Sequence, residues 1–190
     1  MIPPRRPRRS RTSPTFPSRC DRIRIGRLKA EELERFQAGL PAWSSTEYPR
    51  RLAAQGRGEL VQVVAWTDDR PIGKAMVLFP GHDEFSVSAE REKCGEIRDV
   101  AVAPRARRLG VATAMIAMLE GAVLERGLTR IGLSVALADD DAAARDLYAK
   151  LGYTAAHGPF ITSTNLYDDD GRPIHVGAVM EYLAKSLRPS

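Results

Sequence analysis

The sequence predicts a mixed α/β domain built on one central sheet of about seven strands with flanking helices. Three observations carry this reading. Residues 59–67 (ELVQVVAWT) and 129–137 (TRIGLSVAL) have the residue composition and alternation of strands. Val111 to about Arg126 carries the apolar stripe of a long helix. The elements follow one another as β α α β β β α β α β β, which departs from the regular alternation of a wholly parallel sheet.

In chain order, residues 22–28 alternate as a short strand. Leu33, Phe36 and Leu40 then have helical spacing over 29–40, and Pro41 ends that helix. Ser44 or Ser45 caps a second helix running to about Gln55, before the break at Gly56 and Gly58. Strands at 59–67 and 72–79 form a hairpin through the turn Asp68-Asp69-Arg70-Pro71. Residues 80–94 are polar and irregular, a surface loop in which His82 has no metal-like spacing to His157 or His175. The next strand is 96–102, followed by a basic turn at 104–110, the helix from Val111 and the strand at 129–137. A helix over 139–151 ends at Gly152, and two closing strands at 153–166 and 173–183 meet through an acidic turn at 168–171. Trp43, Tyr48 and the loop at 80–94 either shape a pocket or pack in the core.

The chain has 190 residues, enough for one domain with a sizeable hydrophobic core. We expect a domain over 21–190 preceded by a disordered arm over 1–20, since that arm combines six arginines and five prolines with almost no apolar pattern. Those six arginines outweigh the whole net charge of +5, so the body is close to neutral. The arm is either a passive extension or a basic segment for RNA, DNA or an acidic partner; the neutral body argues against nucleic acid as the main ligand. Cys20 and Cys94 suit neither a disulfide framework nor a zinc site. No apolar run approaches the roughly 20 residues of a membrane helix. A cytoplasmic protein without a metal is the expectation.

The most informative stretch is Arg107-Arg108-Leu109-Gly110-Val111-Ala112, between a strand and a helix. The first amides of a helix lack internal partners and the helix dipole adds positive character there, so phosphate is favoured. Gly110 and Ala112 leave room for close approach, while Arg107 and Arg108 add charges suited to paired hydrogen bonds.

With Val102-Ala103-Pro104 ahead of it, Arg107-x-x-Gly110-x-Ala112 resembles the signature of the GNAT superfamily of N-acetyltransferases. A second stretch, Asp141-x-x-Ala144-x-x-Leu147-Tyr148-Ala149-Lys150-Leu151-Gly152-Tyr153, is similar to that family's second motif. The strong resemblance covers about 96–153, and the element order extends it over most of 22–185. It implies a sheet splayed near its middle to receive acyl-CoA, with acetyl-CoA as donor and a small-molecule or peptide amine as acceptor. It implies that backbone groups of Val100, Ala101 and Val102 pair with the pantetheine arm. Arg107, Arg108, Leu109, Gly110, Val111, Ala112 and Thr113 would hold the pyrophosphate. Asp141 stands where the family usually carries a cofactor-contacting Asn; an ionised Asp donates no hydrogen bond, and capping its helix is the plainer role. Homodimers are common in the family.

Acetyl transfer from a thioester needs a neutral amine, a polarised carbonyl and a proton for the departing thiolate. By its place in the second motif, Tyr148 is the candidate general acid, at the cofactor as well as at the chemistry; a phenol with an ordinary pKa of about 10 keeps its proton at neutral pH. Glu96 and Asp99 are the candidate bases, unless they serve as strand carboxylates paired with Arg98 or Lys93. Strict alternation puts Glu96 on the face of Val100 and Val102 and Asp99 on the other, a relation that a bulge would reverse. The second reading is an acyl-CoA-binding module without turnover.

Overall fold

The computed structural model describes residues 23–39, 47–79, 94–138, 142–167 and 173–188. The arm at 1–20, Trp43, Ser44, Ser45, the loop at 80–93, Asp141 and the turn at 168–171 lie outside the described residues. Seven strands form one sheet: β1 (Ile23–Arg27), β2 (Leu60–Thr67), β3 (Arg70–Leu78), β4 (Gly95–Val102), β5 (Arg130–Ala136), β6 (Thr154–Tyr167) and β7 (Pro173–Ser186). Their spatial order is β1-β2-β3-β4-β5-β7-β6. All neighbours run antiparallel except β4 and β5, which are parallel. The sheet is therefore mixed and open.

Among the described residues four α-helices flank it: α1 (Leu33–Gly39), α2 (Glu47–Gly56), α3 (Val111–Glu125) and α4 (Ala142–Lys150). The helix expected over 29–40 is divided, with a 3₁₀ turn at Ala30–Glu32 leading into α1. Glu32 bends back to accept the backbone N–H of Lys29 at 3.1 Å, which satisfies an orphan donor at the helix start. β3 starts at Arg70, so the hairpin turn shrinks to Asp68 and Asp69, with Asp68 at φ 51°.

The period of two in the strands decides which helices cover which face. Val61, Val63 and Ala65 of β2, Ala75 and Val77 of β3, and Ile131, Leu133 and Val135 of β5 form the main core with Val111, Met115, Leu119 and Val123 of α3. Tyr148 and Leu147 of α4 join the same core. The opposite face of β2 offers Val64 and Trp66, which pack with Leu28, Phe36 of α1 and Tyr48 of α2. The sheet thus has a thick layer on the α3 side and a smaller one under α1 and α2. No helix among the described residues is long and apolar enough to cross a membrane.

One irregularity overturns the expected sidedness of β4. Lys74 faces Ala101 and Met76 faces Arg98, so the single residue Ala75 stands opposite both Asp99 and Val100. Asp99 occupies this bulge at φ 56°. Left-handed backbone costs an L-residue roughly 1–2 kcal/mol, least for Asp and Asn, whose short side chains bond locally. The extra residue shifts the alternation by one. Glu96, paired with Leu78, and Arg98, paired with Met76, share the face of Lys74 and Ala101, while Val100 and Val102 pack into the α3-side core. Glu96 is therefore on the face opposite Val100 and Val102, contrary to strict alternation.

Candidate active site

Two strands that separate create the opening on which the site is built. The parallel pairing of β4 with β5 consists of Gly95 with Ile131 and Glu96 with Gly132. Beyond Glu96 the ladder to β5 ends, so among the described residues the β5-side edge of the second half of β4 has no strand paired to it, while Ala101 and Val102 stay paired with Lys74 and Gly73 of β3. Gly132 is needed at the closed end: a Cβ there would lie 2.3 Å from the hydroxyl oxygen of buried Tyr182.

At the open end of β4 the chain makes a 3₁₀ turn, Pro104–Ala106, and then the basic turn into α3. Arg108 and Gly110 both adopt left-handed backbone, at φ 65° and 77°. Buried Ala106 and Val111 anchor the turn on the core, while Leu109 is exposed. The first α-helical backbone bond runs from the Ala114 N–H to the Gly110 carbonyl at 3.0 Å. The amides of Val111, Ala112 and Thr113 precede it, so they are the orphan donors of the helix start. Arg107 donates from Nε to the Val102 carbonyl at 3.3 Å, tying the turn to the strand end. A Cβ built on Gly110 would meet nothing within 4 Å, so the approach to the helix start is open. Exposed Arg108 lies in the same turn, adding a second guanidinium to these donors.

Tyr148 lies on α4 and is 7% exposed. Its ring meets that of Tyr153 edge to face, with centroids 5.8 Å apart. Tyr153 is itself tied down: its hydroxyl donates to Glu120 of α3 at 2.9 Å, and Lys185 of β7 donates to both carboxylate oxygens at 2.9 and 3.1 Å. Burial, reinforced by the Glu120 carboxylate, pushes the Tyr153 phenol far above its ordinary 10.0. In the unfolded chain the phenol ionises as the pH passes 10.0, whereas the folded chain keeps the proton, so stability falls above that pH. Tyr153→Phe should cost about 1–3 kcal/mol near neutral pH, the worth of a hydrogen bond to a charged group, and should flatten the alkaline loss. Urea unfolding of both proteins at neutral and alkaline pH measures this, and an unchanged alkaline slope would contradict it.

The two carboxylates of β4 are both on the face that α1 and α2 cover. Glu96 is 8% exposed and accepts from Arg98 Nε at 3.2 Å. Asp99 is ion-paired with Arg51 of α2 and lies 3.7 Å from the ammonium of Lys74. Arg51 also donates to Glu47 at 2.7 Å. Lys74 is only 2% exposed and donates to the Tyr48 hydroxyl at 3.3 Å. Burial lowers the Lys74 pKa, with Asp99 opposing that shift, and burial raises that of Tyr48.

Sequence reasoning passed over Lys74 and Arg51. Lys74 did leave a signal: it is the charged member of the alternating set Lys74, Met76 and Leu78 in a strand that, after Arg70 at its start, is otherwise apolar on both faces. Arg51 left none, because α2 carries arginines at 50 and 51 with nothing local to separate them.

The model of the Acetyltransferase (GNAT) family matches residues 27–153. No curated protein matches the chain. Among solved structures, the ribosomal-protein-S18-alanine N-acetyltransferase from Escherichia coli is similar over 89% of this chain and 96% of its own, at 20% identity and a TM-score of 0.58. An N-acetyltransferase from Staphylococcus aureus Mu50 is similar over 88% of this chain and 99% of its own, at 14% identity and a TM-score of 0.64. Ard1 from Thermoplasma volcanium is similar over 88% and 99%, at 18% identity and a TM-score of 0.57. At these identities the structures establish a shared fold.

Proposed function

The chain belongs to the GNAT family of acetyltransferases, and on that premise we propose that it moves an acetyl group from acetyl-CoA to a primary amine by direct attack in a ternary complex. The observation that carries this reading is the parting of β4 from β5 after Glu96, with the orphan amides of α3 at the far end of the same strand. A thioester substrate lying in the gap would bond to the backbone of Val100, Ala101 and Val102. Its pyrophosphate would meet the turn from Arg107 to Ala112, with Thr113 beyond it, where amides, helix dipole and two guanidinium groups act together.

The acceptor amine would enter from the α1 and α2 face, on which Glu96 and Asp99 both lie. Its nitrogen attacks the carbonyl carbon, the tetrahedral intermediate collapses, and the carbon–sulfur bond breaks. The amine proton passes to Glu96 or Asp99, directly or through water. Tyr148 gives its proton to the departing thiolate and is reprotonated from solvent. No covalent acyl-enzyme is needed, since a bound amine serves as the nucleophile.

Titration calorimetry with acetyl-CoA, run beside a thiol-release assay over small amines, polyamines and N-terminal peptides, tests the reading. Binding with release for one amine class supports it. Binding with no release for any class favours a module that binds acyl-CoA without turnover, and absence of binding removes the proposal.

A further inference from the structure

The Asp99 bulge is held from two sides by charges that lie far away in sequence. Lys74 is buried between β3 and α2, with Asp99 of β4 and Tyr48, Arg51 and Glu47 of α2 facing it. A buried ammonium carries a desolvation cost that is tolerable only beside compensating groups. The groups beside it include the Asp99 carboxylate, the Tyr48 hydroxyl at 3.3 Å and the Tyr48 ring, whose centroid is 5.6 Å away. Arg51 grips the same carboxylate from α2. Asp99 is thus clamped in left-handed backbone three residues beyond the last β4–β5 pair, one position before Val100. The amides and carbonyls of the following residues take their direction from that φ angle.

We propose that Lys74 is a positioning residue: with Arg51 it locks the Asp99 bulge, and through the bulge it sets the direction of the backbone at Val100, Ala101 and Val102. The inference rests on the acetyltransferase reading for its functional consequence, because that backbone is the segment assigned to the thioester arm. Lys74 touches no reacting atom in this scheme. A lysine that only filled space in the layer under α2 would alter stability and leave the far side of the bulge as it was.

The test uses Lys74→Met, which keeps the apolar stem and removes the charge, and Asp99→Asn, which keeps tolerance of left-handed backbone and removes the carboxylate. Hydrogen exchange at residues 99–102 and calorimetric titration with acetyl-CoA are measured for both single variants and the double. We expect each single variant to exchange faster at these amides and to bind acetyl-CoA about tenfold more weakly, the double variant being no worse than the poorer single, as for residues that act as one unit. Additive losses, or a Lys74→Met chain with wild-type exchange and affinity, overturn the proposal. Should Lys74→Met fail to fold, Arg51→Met with Asp99→Asn forms the same cycle. Exchange needs no ligand, so a wild-type chain that binds no acetyl-CoA refutes the acetyltransferase reading while the exchange cycle still decides the clamp.

Discussion

Tyr148→Phe should lower kcat by about 100-fold or more, the typical worth of a positioned general acid, while the affinity for acetyl-CoA and the melting temperature stay nearly unchanged. The substitution removes one oxygen and keeps the ring that packs edge to face on Tyr153. Packing in the α3-side core is then preserved, since that contact is made by ring carbon. On the proposed mechanism, the substitution also removes the proton for the thiolate. Turnover against the amine that proves active in the thiol-release assay supplies the rate, and calorimetry supplies the affinity. A loss in kcat with affinity intact is the mark of an interaction made only during the reaction. If the variant turns over as the wild type does, Tyr148 is a packing residue and the leaving thiolate takes its proton from water.

Gly110→Asp should weaken acetyl-CoA binding by about 100-fold or more, through a carboxylate placed at the mouth of the phosphate turn. Gly110 has φ 77°, a backbone that Asp tolerates better than most residues do. A Cβ there meets nothing, so no neighbour must move. A negative charge at a helix start is also favourable, by roughly 0.3–1 kcal/mol, which offsets part of the left-handed cost. Folding stability should therefore change little while the anion site is lost. Gly110→Ala is the control: it carries the backbone cost without the charge and should retain most of the affinity. Equal affinity in the Asp variant would show that the pyrophosphate does not bind at this turn.

Much of the architecture was legible in order. The seven strands, the hairpin at β2 and β3, the long helix after a basic turn and the helix ending at Gly152 all follow from apolar period and turn residues. Each depends on neighbours within about one element's length. The basic turn and helix start at residues 107–112, on which the proposed anion site rests, were legible for the same reason, because the amides of a helix start and the arginines beside them are adjacent in sequence. Element ends were less so: Pro71 reads as a turn residue, yet it lies inside β3 opposite Trp66, where the β2–β3 register shifts past Ile72. The Leu-Tyr pair of α4 was visible as a motif, but not the Glu120 and Lys185 pair that steadies Tyr153 beneath it.

What the sequence by itself determined is the fold class, the order of its elements and the basic turn that opens α3, since these arise from local periodicity, capping and charge. Only the tertiary structure decided which way the residues of β4 face. Whether a strand carries an extra residue depends on its register against another strand, here β3, and a single insertion sends Glu96 to the face opposite Val100 and Val102. The clamp of Lys74 and Arg51 on Asp99 likewise exists only once β3, β4 and α2 have packed, because charges 25 and 48 residues from Asp99 meet through the sheet and not along the chain.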